Sequence, residues 1–188
     1  NNTFKAYKSL PAFFDASKYE VKQYKAKSKD GTMIPYFMIA AKDMKNDGAN
    51  PTFVYAYGGF ELSISPFYAA TFGVSWLDKG GVFVLANIRG GGEFGPKWHQ
   101  DGIKEKRQNV FDDLYAVSED LISKKVTSSK HLGVMGGSNG GLLVGVAFTQ
   151  RPDLYNAVVC QVPLLDMQRY NKLLAGASWM GEFGDPDV

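Results

Sequence analysis

Gly136-Gly137-Ser138-Asn139-Gly140-Gly141 lies between an apolar β-type run, His131–Met135, and a helix-type run, Asn139–Gln150. Strand, glycine-walled turn and helix in this order have the form G-x-S-x-G, which holds a serine on a sharp turn with its hydroxyl lifted above a sheet. The turn accounts for the glycines. It leaves little room for side chains at Gly136 and Gly140, and Gly141 and Gly145 let the helix lie close on the sheet. Each glycine inside a helix costs about 1 kcal/mol relative to alanine, so their density here needs a packing reason. Ser138 is the candidate nucleophile. A serine hydroxyl is weak at neutral pH and needs a base within reach and donors for an oxyanion. The backbone N–H of Asn139 is the first expected donor. The alternative is a glycine-rich strand–helix turn with an inert serine.

Working outward, the segments around this turn alternate. Thr52–Tyr57 is β-rich. Pro66–Lys79 has helical spacing and closes at Gly80-Gly81. Val82–Ile88 is a continuous apolar run, as expected for a strand buried on both faces. Arg89–Ile103 is a glycine-rich loop. Asn109–Lys125 is a helix with Val110, Leu114, Val117 and Leu121 on one stripe and Asn109 as its expected cap. After the elbow helix, stopped at Arg151-Pro152, Asn156–Val162 reads as another buried strand. Such alternation predicts an α/β fold, with a mostly parallel sheet and helices on both faces. Upstream, Tyr19–Lys27 alternates apolar and polar, Asp30-Gly31 is a turn signal, and Thr32–Ala41 returns as a second strand, so the chain opens with an antiparallel hairpin. Residues 1–17 read as a linker, and Pro163–Val188 as irregular.

Composition narrows the function. The 188 residues suffice for one domain with a real core. The net charge of +2 is too small to argue for nucleic acid or an acidic membrane surface. Lys18, Lys22, Lys25, Lys27 and Lys29 are read as the wet face of a strand. The single cysteine, Cys160, excludes an internal disulfide and reads as a small buried hydrophobe. No signal-peptide pattern opens the chain and no apolar run is long enough to span a bilayer.

A second segment, Tyr55-Ala56-Tyr57-Gly58-Gly59-Phe60, occupies the strand-to-helix loop that supplies the other oxyanion donor in α/β-hydrolases. Taken together, Tyr57-Gly58-Gly59-Phe60, Asn87-Ile88-Arg89-Gly90-Gly91-Gly92-Glu93-Phe94-Gly95, Asn109-Val110-Phe111-Asp112-Asp113, the Ser138 elbow and Gln150-Arg151-Pro152-Asp153-Leu154 resemble the catalytic domain of the prolyl oligopeptidase family in wording, order and spacing, from about Lys8 to Val188. The resemblance implies an α/β-hydrolase fold and cleavage of short peptides on the carboxyl side of proline, without metal or organic cofactor. It implies Ser138 as nucleophile and oxyanion donors from the Asn139 N–H and the Tyr57 hydroxyl. It further implies a proline pocket built from Phe60, Leu164, Trp179 and Phe183. The family usually has tyrosine at the position of Phe183 and often valine at that of Leu164.

The resemblance also implies partners within a longer protein. One is a preceding β-propeller, of which residues 1–17 would be the departing strap, with 18–188 forming the N-terminal and central part of the peptidase domain. The other is a C-terminal hydrolase segment. The triad order is Ser, Asp, His, and after Ser138 come Asp153, Asp166, Asp185 and Asp187 but no histidine. The chain is therefore expected to be truncated before its catalytic aspartate and histidine, and nearly inactive alone. Neither histidine present has the right order. His131 begins the strand leading to the elbow, at the opposite edge from the site, and His99 lies in a glycine loop past a strand end. The expected compartment is the cytoplasm, with the periplasm as alternative. Competing readings are an esterase or lipase on the same fold, and a non-catalytic binding module that keeps the elbow. Gly90-Gly91-Gly92-Glu93-Phe94-Gly95 also fits G-x-G-x-x-G with Asp112 or Asp113 downstream, a dinucleotide pattern, but no apolar helix start follows it.

Overall fold

A computed structural model describes residues 3–188. Asp30-Gly31 makes the first turn: Gly31 takes φ 90° and donates its N–H to Ser28 O at 2.9 Å, while Asp30 Oδ1 accepts from Thr32 N at 3.0 Å. The turn joins β1 (Tyr19–Lys27) to β2 (Met33–Ala41) in an antiparallel pair. With β3 (Thr52–Tyr55), β4 (Val82–Ala86), β5 (Leu132–Gly137) and β6 (Ala157–Gln161) they form a sheet of order β1-β2-β4-β3-β5-β6. β2 pairs antiparallel with β4, and every later pairing is parallel. Helices α1 (Ala70–Ser75), α2 (Pro96–Gln100), α3 (Gln108–Ser123), α4 (Asn139–Gln150) and α5 (Met180–Phe183) connect and cover the strands.

The period-2 rule of strands sorts the core into two layers. On one face, Val54, Val84, Leu132 and Val134 meet Val110, Leu114, Val117 and Leu121 of α3 and Leu143, Val144 and Ala147 of α4. On the other, Phe53, Phe83 and Leu85 meet Phe72, Trp76 and Leu77 around α1. The aromatic rings of this second layer lie 4.8–5.0 Å apart for Phe53–Phe83, Phe72–Phe83 and Phe53–Trp76. A fully buried leucine such as Leu114 or Leu143 contributes roughly 1.5–3 kcal/mol.

A buried ion cluster fastens the hairpin to the sheet. Arg89, just past β4, donates its backbone N–H and Nε to Asp113 Oδ2 of α3 at 3.0 and 2.9 Å, an Nη to Asp113 Oδ1 at 2.6 Å, and the other Nη to Asp30 in the hairpin turn. Ser28 Oγ also donates to Asp113 Oδ1, at 2.6 Å. Burial works against the Arg89 charge, but the bonds to Asp113 and Asp30 outweigh it and raise its pKa. Asp30 is held down at about 2 by its hydrogen bond to Arg89.

Five expectations need correction. β6 is an edge strand, with Ala157, Val159 and Gln161 exposed. Its apolar run reads the same in a central or an outer strand, and among the described residues only β5 pairs with it. Val159 faces a cleft of about 430 Å³ that also borders Phe72, Trp76 and Met135. The helix expected over Pro66–Lys79 contracts to α1, because the extended stretch before it packs Tyr68 flat against Phe14 at 4.8 Å. Asn109 does not cap α3: the helix starts a residue earlier, and Asn109 Nδ2 donates to Asp101 O at 2.9 Å, holding the preceding loop. Inside the Arg89–Ile103 loop, Pro96 opens α2 from the first helical turn, where its missing N–H is no loss. Pro163–Val188 contains short 3₁₀ turns at Tyr170–Lys172 and Gly176–Trp179, then α5. Lys25 and Lys27 lie on the wet face of β1 together with exposed Val21, whereas Lys22, also exposed, shares the opposite face with Tyr24 and buried Ala26. Cys160 is half-buried and donates to Gly141 O at 3.3 Å. Among the described residues no helix is long and apolar enough to cross a membrane.

Candidate active site

The strand-to-helix turn at the end of β5 puts Ser138 at φ 57°, ψ −117°. Non-glycine residues avoid this region, and such a residue carries about 1–3 kcal/mol of strain that its surroundings must hold. Ser138 N donates to Gln161 O at 2.9 Å, and Ser138 O accepts from Leu142 N at 3.1 Å, in the first turn of α4. A Cβ at Gly136 would collide with the carbonyl of Gly140, and one at Gly140 would stand 2.8 Å from Ala56 O. The elbow therefore closes only with glycine at both positions. The Ser138 side chain stands exposed above the C-terminal end of β5.

Opposite it runs the loop after β3. Gly58 turns at φ 62°, and Phe60 and Glu61 follow at φ 55° each. Three bonds fix this path: Glu61 N to Gly90 O and Leu62 N to Gly59 O, both at 3.1 Å, and Phe60 N to Glu182 Oε1 at 3.0 Å. Between elbow and loop opens a cavity of about 310 Å³, lined by Tyr57, Phe60, Leu62, Ser138, Leu164 and Trp179. Larger clefts lie against other parts of the sheet, but Ser138 opens into this one. Leu164 follows β6, and Trp179 ends a 3₁₀ turn.

Asn139 and Phe183 stand behind the wall. Asn139 is fully buried, with Nδ2 donating to Tyr57 O at 2.6 Å. Its backbone N–H is among the first of α4, the groups a helix leaves without an internal partner. The Phe183 ring meets Phe60 and Tyr170 edge to face at 5.7 and 5.6 Å, with the Arg107 guanidinium 5.1 Å from its centroid. Neither histidine lines the cavity. His131 borders the cleft beside Val159, and His99 bonds Glu182 Oε2 at 2.7 Å.

Sequence reasoning missed two residues here, Arg107 and Glu182. Glu182 is 4% exposed and bonds Phe60 N, His99 and Arg107, the last at 3.0 Å. Arg107 donates its other Nη to Asn139 Oδ1. Burial lowers the Arg107 pKa against the pull of Glu182, and among the described residues its Nε has no partner. No local pattern signals either residue; a charge beside the cavity tryptophan, at Glu182, was the only cue. The dinucleotide reading fails on the same geometry. Asp113 is fully buried and bonded to Arg89, and the Gly90–Gly95 loop closes on the Glu61 carbonyl, where a Cβ on Gly92 would collide.

Comparison with known proteins places the chain in a family. The model of the prolyl oligopeptidase family matches residues 68–187. An uncharacterised peptidase of Sinorhizobium fredii is 62% identical over 95% of this chain and 25% of its own length. A prolyl endopeptidase of Elizabethkingia miricola is 43% identical over 95% of this chain and 25% of its own. The solved structure of a post-proline cleaving enzyme from Rickettsia typhi superposes with a TM-score of 0.91 at 51% identity, covering 98% of this chain and 26% of that one. The chain thus spans about a quarter of the length of these relatives. An elbow serine on an α/β sheet, a Tyr-Gly-Gly-Phe loop facing it and this degree of identity lead to one conclusion: the chain belongs to the prolyl oligopeptidase family.

Proposed function

We propose that this chain carries the nucleophile, oxyanion site and proline pocket of a serine peptidase that cleaves short peptides on the carboxyl side of proline. The observation that carries the reading is the cavity itself. An exposed serine on a strained elbow opens into a space walled by Tyr57, Phe60, Leu164 and Trp179. An aromatic-lined space beside a serine suits a pyrrolidine ring, which has no N–H to satisfy and stacks on an indole face.

In this reading the Ser138 Oγ attacks the prolyl carbonyl. The Asn139 N–H and the Tyr57 hydroxyl receive the oxyanion. The C–N bond then breaks, leaving an ester on Ser138 that water hydrolyses. The proton leaving Ser138 passes through a general base to the departing amine. We assign that base, and the aspartate orienting it, to residues of the longer protein beyond these 188. Phe60, Leu164 and Trp179 form the pocket, Phe183 backs Phe60, and residues 1–17 are the strap from a propeller that admits only short peptides.

The test uses the protein at its native length, a fluorophosphonate probe and paired substrates. Labelling at Ser138 and turnover of a prolyl p-nitroanilide that vanishes in Ser138→Ala are expected. The isolated 188-residue chain should retain only the residual catalysis that oxyanion donors and binding supply. Turnover of p-nitrophenyl esters with none of prolyl amides would make the protein an esterase. No labelling at native length would make it a binding module, and either result overturns the proposal.

A further inference from the structure

Four segments build the cavity: the elbow, the loop after β3, the stretch after β6 that carries Leu164, and the turn that carries Trp179. One side chain joins three of them, all but the Leu164 stretch. Glu182 Oε1 accepts from Phe60 N and from Arg107, each at 3.0 Å. Arg107 donates onward to Asn139 Oδ1, and Asn139 Nδ2 donates to Tyr57 O at 2.6 Å. Tyr57 and Phe60 share a loop, so the chain of bonds closes on itself. Trp179 sits three residues before Glu182, and Phe183 follows it with its ring against Phe60.

The carboxylate is not part of the cavity wall. It is brought this close by Gly59, where a Cβ would stand 2.5 Å from Asn139 Nδ2 and 3.0 Å from Glu182 Oε1. It also holds a strained element: Phe60 and Glu61 both lie at φ 55°, which non-glycine residues leave unless their surroundings prevent it.

We propose that Glu182 is a positioning residue that couples the apolar wall at Trp179 and Phe60 to the oxyanion donor at Tyr57, so that a proline ring in the pocket is read in the bond-breaking step as well as in binding. The proposal rests on the cavity being a prolyl subsite. A ring between Phe60 and Trp179 bears on both segments that Glu182 ties. Without the tie, Phe60 N loses its acceptor, and a ring seated against Phe60 and Trp179 no longer presses the loop into its left-handed path, so the Tyr57 hydroxyl loses the placement that the ring supplies. Acyl transfer is sensitive to such displacements, because a donor acts only at the position the oxyanion will occupy.

The experiment compares wild type, Glu182→Ala and Glu182→Gln at native length, on succinyl-Gly-Pro-p-nitroanilide and its Gly-Ala counterpart. Fluorophosphonate titration counts active serines, so that kcat is expressed per competent site. For Glu182→Ala, kcat on the prolyl substrate is expected to fall about 100-fold, the scale of a lost oxyanion donor. KM should move by less than about threefold, since binding surface is largely retained. The alanyl substrate should lose far less, so the preference for proline shrinks. In Glu182→Gln the amide oxygen still accepts from Phe60 N, and the loss should recover to within about tenfold of wild type. Wild-type kcat per site in Glu182→Ala, or equal losses on both substrates, overturns the proposal. Should Glu182→Ala fail to fold, Glu182→Gln carries the test. Its proline preference is expected to drop about threefold or more as Arg107 loses its carboxylate, and a wild-type preference overturns the coupling. A wild-type protein that does not cleave after proline overturns the subsite reading itself, and the wild-type rows alone show it.

Discussion

Arg89, just past β4, and Arg107, at the start of α3, are both guanidiniums largely withdrawn from solvent, and they are partnered in opposite ways. Arg89, 4% exposed, meets two carboxylates and has its pKa raised by them. Arg107, with a side chain 12% exposed, meets one carboxylate shared with His99, leaves Nε without a partner among the described residues, and has its pKa lowered by burial. The first arrangement is complete and lies between the hairpin turn, β4 and α3, where it holds the fold. The second is incomplete and lies behind Asn139 and Phe60, where it backs the wall of the cavity at Ser138. A buried charge left short of partners tends to mark chemistry rather than architecture.

The comparison can be broken at its strongest point first. Arg89→Met strands Asp113, which is fully buried, and loss of one member of a buried pair costs about 3–5 kcal/mol. Urea unfolding should show that loss, and a loss below about 1 kcal/mol would sink the architectural role. Tyr57→Phe removes a hydroxyl from the cavity wall while leaving the Tyr57 carbonyl that Asn139 uses. At native length kcat is expected to fall about 100-fold or more, with the urea midpoint unchanged. Unchanged kcat would remove Tyr57 from the proposed oxyanion site.

Arg107→Met should be intermediate. Glu182 keeps Phe60 N and His99 as partners, so the stability loss is about 1–3 kcal/mol, below that of Arg89→Met, while kcat falls about tenfold. If Arg107→Met destabilises as much as Arg89→Met and leaves kcat per site intact, the two arginines are alike and the contrast fails.

Asp30→Asn gives the smallest effect and tests its sign. The folded pKa of about 2 lies below the ordinary 3.8, so this carboxylate contributes stability above pH 4 that disappears as pH falls through 2. Its side chain is 43% exposed and therefore screened, so the contribution is no more than about 1 kcal/mol. Wild type should exceed Asp30→Asn in stability at pH 7, and the gap should close between pH 4 and pH 2. A gap that widens on acidification would contradict the assignment.

What could be read from sequence follows from the range of the forces involved. The elbow, the hairpin turn and the sheet strands are set by neighbours in the chain, through glycine, period-2 alternation and apolar runs, and they were legible. The family resemblance named Tyr57, Phe60, Trp179 and, by position where the family often has valine, Leu164, and these gather around one cavity. Arg107 and Glu182 are 75 residues apart, and nothing local to either says that both will be buried against each other. The exposed edge of β6 was illegible for a related reason: an apolar run records what a strand can bury, while its neighbours decide what it does bury. The turns carrying Trp179 and Phe183 are too short for a helical period to register.

The backbone at Ser138 has one more consequence, for the choice of atom that could ever react there. At φ 57° and ψ −117° a side chain branched at Cβ is excluded, because its second substituent meets the main chain on either side. Threonine offers the same hydroxyl and is barred, whereas cysteine, unbranched and of similar size, is admitted. The fold thus filters nucleophiles by shape before chemistry is consulted. A thiol variant of this elbow is within reach of a single substitution, and a secondary alcohol is not.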